Sequence, residues 1–184
     1  FVGSTAVAKI VYKRATSNLK RCVALGGAKN HLIVLPDADL EMTASNVVAS
    51  MVGCAGQRCM AASVMVGVDK VQHIIDRMVL EAKAIVPGEN LGSVISAAAK
   101  QRIESYIDAA EKAGANILVD GRGATVAGKK GGYYVGPTII DHVTPDMSVA
   151  SEEIFGPVIS IIRAKDVDEA IRIENSSNYG NAAA

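Results

Sequence analysis

The stretch His31–Leu40, "HLIVLPDADL", decides how the rest of the chain is read. An apolar run ends at a proline, and an acidic turn then leads into Leu40. A short apolar run bounded by turn residues is the pattern of a buried strand. Asp39 then stands where a helix N-cap belongs. Behind it Leu40, Ala44, Val47, Val48 and Met51 recur at helical spacing. One strand followed by one amphipathic helix is the repeating half of an α/β fold.

The pattern continues in both directions. Upstream, "AVAKIVYKRATSN" puts Val7, Ile10, Val11 and Ala15 on one helical face, with Ser4 or Thr5 as cap. "CVALG" reads as a short strand. Downstream, "SVMVGV" reads as a strand, and Val71 to Ala82 as an amphipathic helix ending before Pro87. A further helix starts near Ser96 and stops at Gly114. "NILVD", "YYVGPTII" and "PVISIIRA" read as strands, and "GRGATVAGKKGG" as a loop or hairpin. Asp166-x-x-Glu169 is a capping box opening a last short helix. Strands alternating with helices predict an α/β fold, a mainly parallel sheet flanked by helices. "FVGST" and "NYGNAAA" read as cut ends, so the chain is expected to be a fragment of a larger enzyme.

Composition narrows the function classes. The 184 residues are 49% hydrophobic with a net charge of zero, which fits one folded core burying roughly 70% of its unfolded surface. Dispersed Lys and Arg give no nucleic-acid footprint. No apolar run approaches the roughly 20 residues of a membrane span, and Phe1 begins without a basic leader. Cys22, Cys54 and Cys59 cannot all pair, and Cys54-x4-Cys59 lacks zinc-site spacing. Free thiols in a reducing compartment, and no metal, are expected.

Three short motifs can carry chemistry, and each also has an ordinary structural reading. In "GCAGQRCMA" (Gly53–Ala61) small residues let backbone approach a ligand closely. Arg58 favours a thiolate at Cys59 if it points at the sulfur. Taken alone, Cys59 reads more readily as a packed apolar thiol. "FVGST" can place a phosphate at a helix start, or be a plain N-cap. "SEEIFGPV" offers a carboxylate for a ribose diol and an aromatic ring, or a solvated acidic turn.

In order and spacing, "FVGST", "LGGAKNHLIVLPDADL", "GQRCM", "YYVGPTII" and "EEIFGPV" resemble the aldehyde dehydrogenase superfamily over essentially the whole chain. "GGAKNH" with "GQRCMA" is most similar to its CoA-acylating methylmalonate-semialdehyde dehydrogenase branch. The resemblance implies NAD as cofactor and CoA as co-substrate. Residues 1–25 would close the cofactor-binding domain, and 26–184 would form an incomplete catalytic domain. Cys59 matches the nucleophile, whose backbone N–H forms half of an oxyanion hole. Gly3 and Ser4 match the cofactor-phosphate contact, and Gly26 the backbone near the carboxamide. Glu153 matches the ribose-binding carboxylate, and Phe155 the aromatic beside the nicotinamide. The remaining cofactor contacts and the amide completing the oxyanion hole would precede Phe1.

The resemblance also implies a homo-oligomer, in cytoplasm if bacterial or mitochondrial matrix if eukaryotic. Hydrolytic members carry a glutamate in an "ELGGK"-like motif that activates water. Here the stretch is "ALGGAKNH", with Leu25 at that position and no acidic residue from Arg21 to Leu35. Losing a general base slows a step roughly 10²–10⁴-fold. The implied thioester therefore waits for CoA, giving acetyl-CoA or propionyl-CoA. Arg58 is a candidate for holding the substrate carboxylate. A hydrolytic aldehyde dehydrogenase and a non-catalytic binding or assembly domain are the alternatives. Cys22 and Cys54 match no catalytic position and are read as structural thiols.

Overall fold

A computed structural model describes residues 1–129 and 131–184. The Lys130 position of the predicted "GRGATVAGKKGG" loop lies outside the described residues. Five strands, β1 (Asn30–Val34), β2 (Ala62–Val68), β3 (Asn116–Val119), β4 (Thr138–Asp141) and β5 (Val158–Ala164), form one sheet in the order β1-β2-β5-β4-β3. β1 with β2, β2 with β5, and β5 with β4 run parallel, while β3 closes the edge antiparallel. The mainly parallel α/β reading is thus what the chain adopts.

Among the described residues six α-helices accompany the sheet: α1 (Thr5–Ser17), α2 (Leu40–Val52), α3 (Gln72–Lys83), α4 (Ala97–Lys112), the single turn α5 (Ser148–Ser151) and α6 (Val167–Asn175). Central strands of a parallel sheet are covered on both faces, so they need apolar residues at successive positions. β2 and β5 supply them. Met65, Ile159 and Ile161 face Val47, Met51, Ile74, Ile75 and Met78 of α2 and α3. Val64, Val66 and Ile162 face the other way, among Ile103, Ile107 and Ala110 of α4. Asp39 caps α2 by accepting from the Met42 amide at 2.8 Å, and Ser96 caps α4 from Ala99 at 3.1 Å. Asp166 accepts from the Glu169 amide at 2.8 Å, while Glu169 reaches back to Lys165 N–H, one residue before the cap.

Three expectations change. "CVALG" is no strand among the described residues; Leu25 makes an isolated parallel bridge to Val2, with backbone hydrogen bonds to Phe1 and Gly3. "YYVGPTII" becomes a strand only at Thr138. Pro137 has no N–H for the ladder, and Gly136 donates to the Gly121 carbonyl instead. The apolar face expected on α1 is not buried: Ile10 is 64% exposed, and Ala8 is the helix's only buried residue. No described helix is long and apolar enough to cross a membrane.

Candidate active site

Because β1, β2 and β5 share one direction, the segments entering them gather at one end of the sheet. These segments are Ala28–Lys29, Arg58–Ala61 and Glu153–Pro157. In open α/β sheets ligands usually sit at the carboxyl ends of strands; here the chemistry-bearing side chains collect at the amino ends. Lys29, Arg58, Cys59, Glu153 and Phe155 line one cleft there.

The route to Cys59 is set by an unusual turn. After α2, Cys54, Ala55 and Gly56 are consecutively left-handed, with φ of 52°, 54° and 69°. Each non-glycine residue in that region costs about 1–2 kcal/mol, so packing must hold the turn. Cys59 then lies exposed in a turn closed by Ala61 N–H donating to Arg58 O at 3.1 Å. Exposure removes the packed-thiol reading of Cys59. Cys54 is exposed too, beside Gln57, Ile95 and Phe155 in a neighbouring hollow, so it is not the structural thiol expected.

Arg58 does not turn its whole guanidinium to the cleft. Nη2 donates to Ser50 O at 2.8 Å, at the C-terminal end of α2, where a cation is favoured by the helix dipole. Gly53 makes this possible, since a Cβ there would overlap the guanidinium.

Glu153 lies against glycine-rich backbone. Its Oε1 accepts from Ala28 N–H at 3.1 Å, and its Oε2 sits where a Cβ of Gly27 would be. α4 steadies this loop. Tyr106 donates to Glu152 at 2.6 Å, and burial plus that bond push the tyrosine pKa up to about 12. Phe155 has φ of 58° and is 39% exposed. A left-handed phenylalanine is a strained position of the kind concentrated at functional sites.

Gly3, Ser4 and Gly26 do not line the Cys59 cleft, and Gly26 lines a separate hollow with Thr5 and Tyr12. Ser4 is the N-cap of α1, and its hydroxyl makes no cap hydrogen bond. The Gly3 N–H is engaged with Leu25 O at 3.1 Å, leaving Ser4 as the phosphate-facing candidate of the pair. Thr5, read from the sequence only as an alternative cap, joins Gly26 and Gly27 to α1. Its Oγ1 accepts from Gly27 N–H at 3.0 Å, and a Cβ on Gly26 would meet that oxygen at 2.8 Å.

Lys29 was not assigned a role from sequence. It is 3% exposed, and its Nζ has no hydrogen-bond partner among the described residues. Desolvation pulls its pKa down to about 7, against the opposing pull of Glu153 and then Glu152. Asn30 and Asn181, also missed, hydrogen-bond the Cys59 carbonyl. They lie 29 and 122 residues from Cys59, and no local pattern signals such pairings. One register needs correction: superposing "ALGG" on "ELGG" puts Ala24, not Leu25, opposite the glutamate. Neither residue can abstract a proton.

The aldehyde dehydrogenase family model matches residues 1–184. Malonate-semialdehyde dehydrogenase 2 of Bacillus anthracis is 48% identical over 190 residues, covering 100% of this chain and 39% of that protein. Methylmalonate-semialdehyde dehydrogenase from Oceanimonas doudoroffii is 40% identical, with a TM-score of 0.95 over 100% of this chain and 39% of its own. Betaine aldehyde dehydrogenase from Staphylococcus aureus, solved with NAD+, is 30% identical, with a TM-score of 0.92 over 100% of this chain and 38% of its own. The chain thus spans about two-fifths of the length of the curated relatives it matches.

Proposed function

The chain belongs to the aldehyde dehydrogenase family, and from that premise we propose that it carries the catalytic centre of an NAD-dependent, CoA-acylating dehydrogenase of malonate and methylmalonate semialdehydes. The observation that carries this reading is the shared cleft of Cys59, Glu153 and Phe155 at the amino ends of β1, β2 and β5. Residues 1–25 belong to the end of a cofactor domain, and 26–184 to the catalytic domain. The working enzyme is a homo-oligomer.

The residues present fit NAD. Gly27 has no side chain beneath the Glu153 carboxylate, Phe155 exposes part of its ring, and the Ser4 hydroxyl is uncommitted at a helix start. Glu153 would hold the ribose diol, Phe155 would pack beside the nicotinamide, and Ser4 would meet the phosphate. When bound, NAD supplies the hydride acceptor.

The Cys59 thiolate attacks the aldehyde carbon. The oxyanion that forms is received by the Cys59 N–H, which donates to no backbone acceptor among the described residues. After the hydride leaves, a malonyl-type thioester remains on Cys59, and loss of its free carboxylate as CO2 leaves the acetyl or propionyl group that is transferred. Arg58, with Nη2 anchored at Ser50, holds the substrate carboxylate through its remaining N–H groups. With Ala24 and Leu25 in place of a base, the CoA thiol takes the acyl group.

The hydrolytic reading has one observation in its favour: the Glu153 carboxylate lines the same cleft. Its bond to Ala28 N–H directs one oxygen away from the role of base. Following NADH formed from methylmalonate semialdehyde with and without CoA decides between them. Turnover that requires CoA supports acylation, and full turnover without CoA contradicts it.

A further inference from the structure

The carbonyl of Cys59 accepts two side-chain hydrogen bonds, from Asn30 Nδ2 at 2.8 Å and from Asn181 Nδ2 at 2.9 Å. A carbonyl oxygen has two lone pairs, so this one is fully engaged. Asn30 also donates to Ala61 O at 2.9 Å and so spans the nucleophile turn from one carbonyl to the other. Its own Oδ1 lies 3.5 Å from Asn181 Nδ2.

Both carboxamides are held by the sheet. Asn30 begins β1, and the register of β1 against β2 shifts between Asn30 and His31. Such an irregularity re-aims a side chain, here toward the turn that precedes β2. Asn181 leads directly into a segment that adds to the free edge of β1. Ile33 N–H donates to Ala184 O at 2.8 Å, and Ala184 N–H to His31 O at 3.2 Å. The peptide following the nucleophile is therefore tied to the start of one strand and to a segment more than a hundred residues away.

We propose that Asn30 and Asn181 are positioning residues that together fix the Cys59–Met60 peptide, and with it the Cys59 sulfur and amide N–H, for attack and oxyanion binding. This rests on the reading of Cys59 as nucleophile. The left-handed run before Cys59 holds the chain from one side only; the two carboxamides supply the restraint on the other. Because both act on one oxygen, either loss frees the same peptide.

The test uses the whole enzyme with saturating NAD and no CoA, and measures the first-turnover burst of NADH, per active site, together with the aldehyde KM of the burst rate. Asn181 is exposed, so its replacement leaves the core intact. Asn181→Asp keeps the shape but cannot donate when ionised, and Asn181→Leu removes donor and polarity together. Each is expected to slow the burst rate about 10–100-fold, with KM within about twofold and the burst amplitude unchanged. A merely structural role would reduce the amplitude and spare the rate. Asn30→Asp combined with Asn181→Asp is expected to be little slower than either alone. Burst rates within twofold of wild type in both Asn181 variants overturn the proposal. So does a loss confined to amplitude, or a KM that rises as the rate falls. A wild-type enzyme with no burst overturns the nucleophile reading, and the positioning role with it.

Discussion

Gly56 meets Gly156 backbone to backbone: a Cβ on Gly56 would overlap the Gly156 carbonyl group. This contact joins the turn that leads to Cys59 to the loop that carries Glu153 and Phe155. Gly56 also has φ of 69°, which side chains tolerate poorly. Gly56→Ala combines overlap with backbone strain, and a loss of about 2–5 kcal/mol is expected. The urea-unfolding midpoint measures it. A midpoint equal to wild type would mean that the two loops are not packed in this way.

Lys29 makes stability depend on pH in a defined direction. Burial pulls its pKa down to about 7 in the folded chain, while an unfolded lysine titrates near 10.4. Between those values the unfolded chain binds more protons, so the lysine's contribution to stability rises with pH through that window. Its penalty is complete below pH 7 and gone above the unfolded value. Lys29→Met should therefore stabilise the chain at pH 6–7, by on the order of 3 kcal/mol, and progressively less toward pH 10.5. Melting temperatures of the two proteins across this range check the sign. A benefit that grows with pH would contradict it.

Glu153 is the stronger of the two carboxylates opposing that desolvation. Glu153→Gln should push the Lys29 pKa lower still, and should weaken NAD about tenfold through loss of a charged acceptor. Titration of a labelled Lys29 side chain by NMR and NAD binding by calorimetry read the two effects separately. An unmoved lysine would show that the carboxylate is not its neighbour in solution.

Much of the frame was legible in the sequence. "HLIVLPDADL", "PVISIIRA" and the Ser96 and Asp39 caps are local signals, and they became β1, β5, α4 and α2. The candidate site was legible only as separate motifs. Nothing local says that Lys29, Cys59 and Glu153 share a cleft; the common direction of β1, β2 and β5 does that. The Asn181 bond to Cys59 spans 122 residues. "CVALG" misled because a β-like run needs a neighbour to become a strand, and Leu25 finds only one bridging partner.

Replacing Arg58 tests the proposed carboxylate contact against its bond to Ser50. Arg58→Leu is expected to raise KM for malonate semialdehyde roughly 10–100-fold, the worth of a charge-assisted hydrogen bond. KM for propanal, which has no carboxylate, should change less than about threefold. Equal losses on both aldehydes would assign Arg58 to the Ser50 carbonyl alone.

The most direct measurement of the central claim is mass spectrometry of the enzyme mixed with NAD and methylmalonate semialdehyde in the absence of CoA. An acyl group is expected on the peptide containing Cys59, absent from those containing Cys22 and Cys54 if they are separated by cleavage or fragmentation, and it should disappear when CoA is added. An enzyme that produces NADH with no acyl group on Cys59, or with the group on another cysteine, would contradict the account.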